Sequence, residues 1–215
     1  MGDDFMHSLR TAVDSFIVSL AEVTLGSDVA DAPPLPSPTP YRNAAAPDRH
    51  RVGLGAIRDS DPAFELDAFL VHVGQMFSAY HEARDNGDLK PARRFIDENA
   101  WAELAEAAKK DGRRADGPRT LKIRAIRPET AVHEDGLDLV RVFITAEQSG
   151  SDELLCEYWE LIRKRGTLTK SGLDLIHCPN CGAPIDGDDP TRCAYCGERL
   201  ADPALDWVVR KIMEQ

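Results

Sequence analysis

The sequence predicts an α+β fold, with helices first, an antiparallel sheet after them, and a small metal ribbon inserted before the last strand. Three observations carry this. Apolar residues recur every three or four positions as far as about Gly112, and every second position beyond Pro118. Two Cys-x-x-Cys-Gly knuckles, starting at Cys178 and Cys193, interrupt the strand pattern shortly before it ends. Helical runs followed by strand runs indicate segregated layers, not alternating βαβ units.

Composition bounds what such a chain can do. Its 215 residues hold 26 Lys and Arg against 37 Asp and Glu, a formal charge of -11, and 42% are hydrophobic. That is enough apolar material for a normal core, and it excludes wholesale disorder and collagen. The acidic balance disfavours broad nucleic-acid binding, which draws its affinity from Lys and Arg. No stretch reaches the roughly 18 uninterrupted apolar residues of a membrane-spanning helix. The start, Met1-Gly2-Asp3-Asp4, is acidic where a secretory signal is positively charged. A cytoplasmic protein without a transmembrane segment is expected, with peripheral membrane contact left open.

Residues 1–28 form the first unit. Phe5, Leu9, Val13, Phe16, Ile17, Leu20 and Val23 fall three and four apart, which puts all seven on one face of a helix. Such a stripe needs a surface to cover, either on its own domain or on a second copy, so a homodimer stays open. Residues 29–51 are rich in proline and favour extended polyproline geometry, the property of a semi-rigid linker.

The α+β domain is expected over residues 52–215. Gly53-Leu54-Gly55 has Arg58 where a dinucleotide loop needs its third glycine, so that motif is rejected. A helix capped by Asp61, with Pro62 at its first position, should present Leu66, Phe69, Leu70, Val73, Met76, Phe77 and Tyr80 on one face and stop at Asn86-Gly87. A second helical region from Asp88 carries Phe95, Ile96, Ala100, Trp101, Leu104 and Ala107, with a break near Asn99. Then Leu121, Ile123 and Ala125 alternate with Lys122 and Arg124 as in a half-buried strand, and Asp135-Gly136 turns a hairpin. Residues 137–146 and 153–165 extend the meander beyond a Ser149-Gly150-Ser151-Asp152 turn, and 205–212 supply a last strand.

The knuckles are the sharpest signal in the chain. Cys178, Cys181, Cys193 and Cys196 pair two thiolates on each tight turn, and eleven residues separate the pairs. Four thiolates close a tetrahedron and leave no position for water, the arrangement of structural zinc and not of catalytic zinc. One structural zinc ion, held in a ribbon over residues 177–200, is the expectation. Two disulfides are the alternative, disfavoured in a reducing compartment. His177 reads as a surface neighbour of the first ligand, and Cys156 as a buried strand residue.

Asp61-Pro62-Ala63-Phe64, Phe69, the Phe77 helix with its Gly87-Asp88-Leu89 turn, and Glu157-Tyr158-Trp159-Glu160-Leu161-Ile162-Arg163 form a pattern with both knuckles and Asp206-Trp207. This combination resembles bacterial members of the Tim-forty-four-like domain family, named for a subunit of the mitochondrial inner-membrane translocase. The resemblance covers residues 52–215. It implies a nuclear-transport-factor-two-like, cystatin-like cone of helices on a curved antiparallel sheet, and a link to protein transport or the cell envelope. The mitochondrial member lacks the ribbon, so its tethering role does not carry over whole.

No nucleophile–base pairing is legible, and no catalytic or cofactor-binding residue is assigned. The leading expectation is a non-catalytic protein-binding or scaffolding module. An enzyme that uses the cone as a pocket is the alternative, with His72, Tyr80, His81 and Glu160 as candidates. The bland reading sets Tyr80 at the end of the apolar stripe, both histidines on the polar helix face, and Glu160 toward solvent. A third reading rests on Lys109, Lys110, Arg113, Arg114, Arg119, Lys122, Arg124 and Arg127, a basic stretch suited to anionic lipid or nucleic acid.

Overall fold

A computed structural model describes residues 53–111, 120–151, 153–170 and 174–214. The sequence-predicted N-terminal helix, the proline linker up to residue 52, and residues 112–119 of the basic stretch lie outside the described residues. Three α-helices come first: α1 (Gly53–Ser60), α2 (Leu66–Asp85) and, after a 3-10 turn at Lys90–Arg94, α3 (Glu98–Asp111). Four strands follow: β1 (Leu121–Glu134), β2 (Leu137–Gln148), β3 (Leu154–Lys164) and β4 (Val208–Glu214). They pair antiparallel in the order β1-β2-β3-β4, so the α+β class and its helices-before-sheet order are those the sequence predicts.

Helix α2 buries Phe69, Val73, Met76, Phe77 and Tyr80, five of the seven residues its apolar spacing selects, while Leu66 and Leu70 pack at the edge of the same core. Asn86 caps its end and Gly87 turns the chain at φ 71°, a conformation that strains residues bearing a Cβ. Its start differs from the expectation. Asp61 does not cap α2: its N–H bonds the Ile57 carbonyl at the end of α1, and its carboxylate turns inward. Glu65 precedes the first helical residue instead.

The second helical region breaks at 95–97, just before Asn99 and close to where the sequence suggests. The Phe95 carbonyl accepts the Val209 N–H at 2.8 Å, and the Asp97 N–H bonds the Val209 carbonyl at 2.9 Å. This short bridge covers the edge of β4, and an edge partner offers those backbone groups more than a continued helix would. The Asp97 side chain then accepts the Asn99 N–H at 2.9 Å and starts α3. Ala107 is exposed, and Ala108 makes the core contact.

In the sheet, Asp135 and Gly136 have φ of 50° and 78°, as a tight hairpin demands. The register sets Ala131, Val140, Leu161 and Val209 in one inward row and Val142 with Trp159 in the next. Strand β4 begins at Val208, three residues later than the spacing suggests, because Asp206 and Trp207 are turned into the core contacts described below. The inner face of the sheet and the helices enclose Trp159, Met76, Phe77 and Val73, all at 1% exposure or less. The space between the helices and the inner face of the sheet is therefore filled with side chains.

Candidate metal centre

Each knuckle is built by the same backbone device. The Gly182 N–H bonds the Cys178 carbonyl at 2.9 Å, and the Gly197 N–H bonds the Cys193 carbonyl at the same distance. Gly182 and Gly197 have φ of 73° and 75°, left-handed conformations that turn the chain back after each cysteine pair. The N–H groups of Cys178 and Cys193 close the hairpins on the Ala183 and Glu198 carbonyls. The two knuckles then face each other, with Cys178 Sγ 3.8 Å from Cys196 Sγ and Cys181 Sγ 3.7 Å from Cys193 Sγ.

All four sulfurs lie within 4.8 Å of one another, close enough to hold one metal ion, and no disulfide joins them. Cys178 and Cys193 are buried beside Leu200 and Ile185, whereas Cys181 and Cys196 are exposed. Burial pushes the Cys178 thiol up to about 12, while the Glu198 backbone N–H pulls the Cys196 thiol down to about 7. A bound cation favours the thiolate at all four. His177 points away: its Nδ1 lies 2.8 Å from the Asp174 carboxylate and its side chain is exposed. Cys156 sits partly buried on β3, and burial raises its thiol above the ordinary value.

The ribbon is fastened to the body. Arg199 pairs with Glu98 at the start of α3, and the Lys170 ammonium meets the Pro179 carbonyl. Arg94 donates from Nη1 to the Leu175 carbonyl at 3.0 Å, and burial lowers its guanidinium to about 10. Between ribbon and body, Arg94, Asp174, Asp206 and Trp207 line a cavity of about 20 Å³, room for a single water molecule.

The four enzymatic candidates do not converge on one point: Tyr80 and His81 meet edge to face with ring centroids 5.1 Å apart, while His72 and Glu160 have other partners. His72 and His81 are buried, not on a solvated helix face as the bland reading has them. His72 Nε2 lies 3.1 Å from Asp206 Oδ2. Burial opposes its protonation, but the Asp206 carboxylate, with help from Gln75 and Asp174, raises it above its ordinary value. His81 Nε2 lies 3.2 Å from Glu157 Oε2, and Trp159 Nε1 donates to the same oxygen at 2.7 Å. Burial works against ionisation of Glu157, yet these two bonds leave it below the usual carboxylate range. Tyr80 is buried edge-on against Trp159 with ring centroids 5.7 Å apart. Glu160 lies on the opposite face of the sheet, covered by Arg141, whose Nε donates at 3.1 Å.

Sequence reasoning missed the acidic halves of these pairs and one buried ion pair, Asp61 with Arg163. Arg163 Nη2 lies 2.9 Å from Asp61 Oδ2, both groups are 1% exposed or less, and Thr169 Oγ1 donates to the same oxygen at 2.6 Å. Arg163 also stacks over Trp207, 4.6 Å from the ring. A signal existed: Glu157 and Arg163 share strand parity with Leu155, Trp159 and Leu161, so two charges point into an apolar row. The chain matches no protein-family model, and no curated protein matches it. No helix among the described residues is long and apolar enough to cross a membrane.

Proposed function

We propose that the chain is a non-catalytic protein-binding or scaffolding module whose ribbon is organised by one structural zinc ion. The observation that carries the reading is the filled interior. Trp159, Trp207, Phe77 and Met76 occupy the concave side of the sheet, and the cleft beside the ribbon admits only about one water. Substrates of ordinary size need hundreds of cubic ångströms. Function on such a body belongs to its surfaces.

Zinc is the ion that the donor set favours. A tetrahedron with Zn–S bonds of about 2.3 Å has edges of about 3.8 Å. The Sγ separations of 3.8 and 3.7 Å match this. Cys178, Cys181, Cys193 and Cys196 would fill all four positions, so the ion would hold the ribbon and would not activate water. The resemblance to the Tim-forty-four-like family supports a role in protein transport or at the cell envelope, with a protein partner.

The enzymatic alternative has one observation in its favour, the buried His72–Asp206 and His81–Glu157 pairs, since perturbed pairs cluster at active sites. Both are largely buried, His81–Glu157 in the core and His72–Asp206 beside the cleft at the ribbon, where such pairs also serve as structural ties. The lipid or nucleic-acid alternative rests on the basic stretch. Of its described side chains, Arg124 is paired with Glu147, Arg127 lies over Phe143, and Lys122 is exposed.

The test is crosslinked affinity capture with the full chain from native lysate, beside elemental analysis of the purified protein. One specific protein partner and one zinc per chain are expected. Retention of RNA or anionic vesicles that falls steeply with salt would overturn the reading in favour of the basic stretch.

A further inference from the structure

We propose that the outward face of the sheet is the docking surface for the chain's own residues 5–23. Every described helix packs on the inner face with Val140, Val142, Ile144, Trp159 and Leu161. By register, the outward face carries Thr130, Phe143, Thr145, Cys156, Tyr158 and Met213. The Phe143 and Tyr158 rings lie 4.8 Å apart, and Leu154 at the end of this row is 44% exposed. On this face Thr145 and Glu160 are buried and Phe143, Cys156 and Tyr158 half-buried, while at the hairpin end Ala201 packs on Leu139, Ile162 and Val208.

Size, charge and reach all favour this occupant. Nineteen residues of helix are about 28 Å long. Strand β3, of 11 residues, spans about 36 Å, so a helix laid along the strands fits within the face. Residues 1–28 hold Asp3, Asp4, Asp14, Glu22 and Asp28 against Arg10 alone. The outward face is the opposite. Its carboxylates Glu134, Glu147 and Glu160 are engaged by Arg210, Arg124 and Arg141, and Lys122, Arg127 and Lys211 leave it basic.

A second copy fits less well, because a two-fold interface would set this basic face against itself. The 29 residues from 24 to 52, extended at about 3.1 Å each, reach about 90 Å, so tether length does not limit docking from Gly53. The inference needs neither the zinc nor the partner reading.

Cys156 reports on this face. In the full-length, metal-loaded chain, its alkylation by iodoacetamide is followed site by site with peptide mass spectrometry, beside a Phe16→Asp, Leu20→Asp double variant. Roughly tenfold faster alkylation in the variant is expected, at a rate independent of protein concentration. Equal rates in the two proteins, or protection that grows with concentration as a second copy would give, overturn the proposal. A second measurement leaves the sequence nearly intact: benzoylphenylalanine in place of Phe16 is photoactivated in dilute full-length protein. Cross-links within one chain to peptides of β2 or β3 support the docking. Links between chains, or to peptides from elsewhere, overturn it.

Discussion

At the scale of single residues, the chain distinguishes two uses of polar groups: thiols gathered for a cation, and charges buried in pairs. Cys193 belongs to the first. It is buried, and its loss leaves three thiolates around an ion that needs four. Cys193→Ser should cost several kcal/mol within the ribbon and lower bound metal below one ion per chain, because binding and local folding are coupled. Elemental analysis checks this, and unchanged metal content would exclude the four-thiolate site. Asp206 belongs to the second group. His72 has a folded-state value above its ordinary 6.5, so the stabilisation it draws from Asp206 is full below pH 6.5 and fades as pH rises through the folded value. Asp206→Asn should therefore destabilise by on the order of 2 kcal/mol at pH 6 and by less at pH 9. Urea unfolding at both pH values measures this, and an equal loss at each would exclude the charged pair.

At the scale of elements, backbone geometry decides where the sulfurs meet. Gly182 sits at φ 73° with open space where a Cβ would stand, so replacement meets no clash and only conformational strain. Gly182→Ala should cost about 1–2 kcal/mol. It should weaken metal affinity about tenfold or more, while helix and strand content stay unchanged by circular dichroism. Competition with a chromophoric chelator reads the affinity. The same balance of local against tertiary forces appears at the β4 edge. The helix break falls at 95–97, just before Asn99 and close to where the sequence suggests, because two hydrogen bonds to Val209 and burial of Phe95 and Ile96 outweigh helical continuity.

At the scale of the whole molecule, body and ribbon have separate cores. The large cluster around Trp159 is complete without the ribbon's small group of Cys178, Cys193, Leu200 and Ile185. Removing the metal with a chelator should release residues 176–200 first, while β1 to β3 keep their amide protection. Hydrogen exchange with peptide resolution tests this, and simultaneous loss of protection in both parts would show a single cooperative unit. The ties between the parts, Arg199 with Glu98 and Arg94 with Leu175, set an upper limit on that independence.

Periodicity alone determined a good deal. The α2 stripe, the β-hairpin at Asp135-Gly136, the meander and the two pairs of cysteines are local patterns, because each repeats at a spacing that backbone geometry imposes on neighbours. What only the tertiary structure decided are the partnerships across the chain. Asp61 reads as a helix cap and becomes the counter-ion of Arg163, 102 residues away in sequence. His72 and His81 read as solvated and are buried on Asp206 and Glu157. A charge can be buried only where its opposite arrives, and that meeting depends on how the sheet folds over the helices, which no local spacing records.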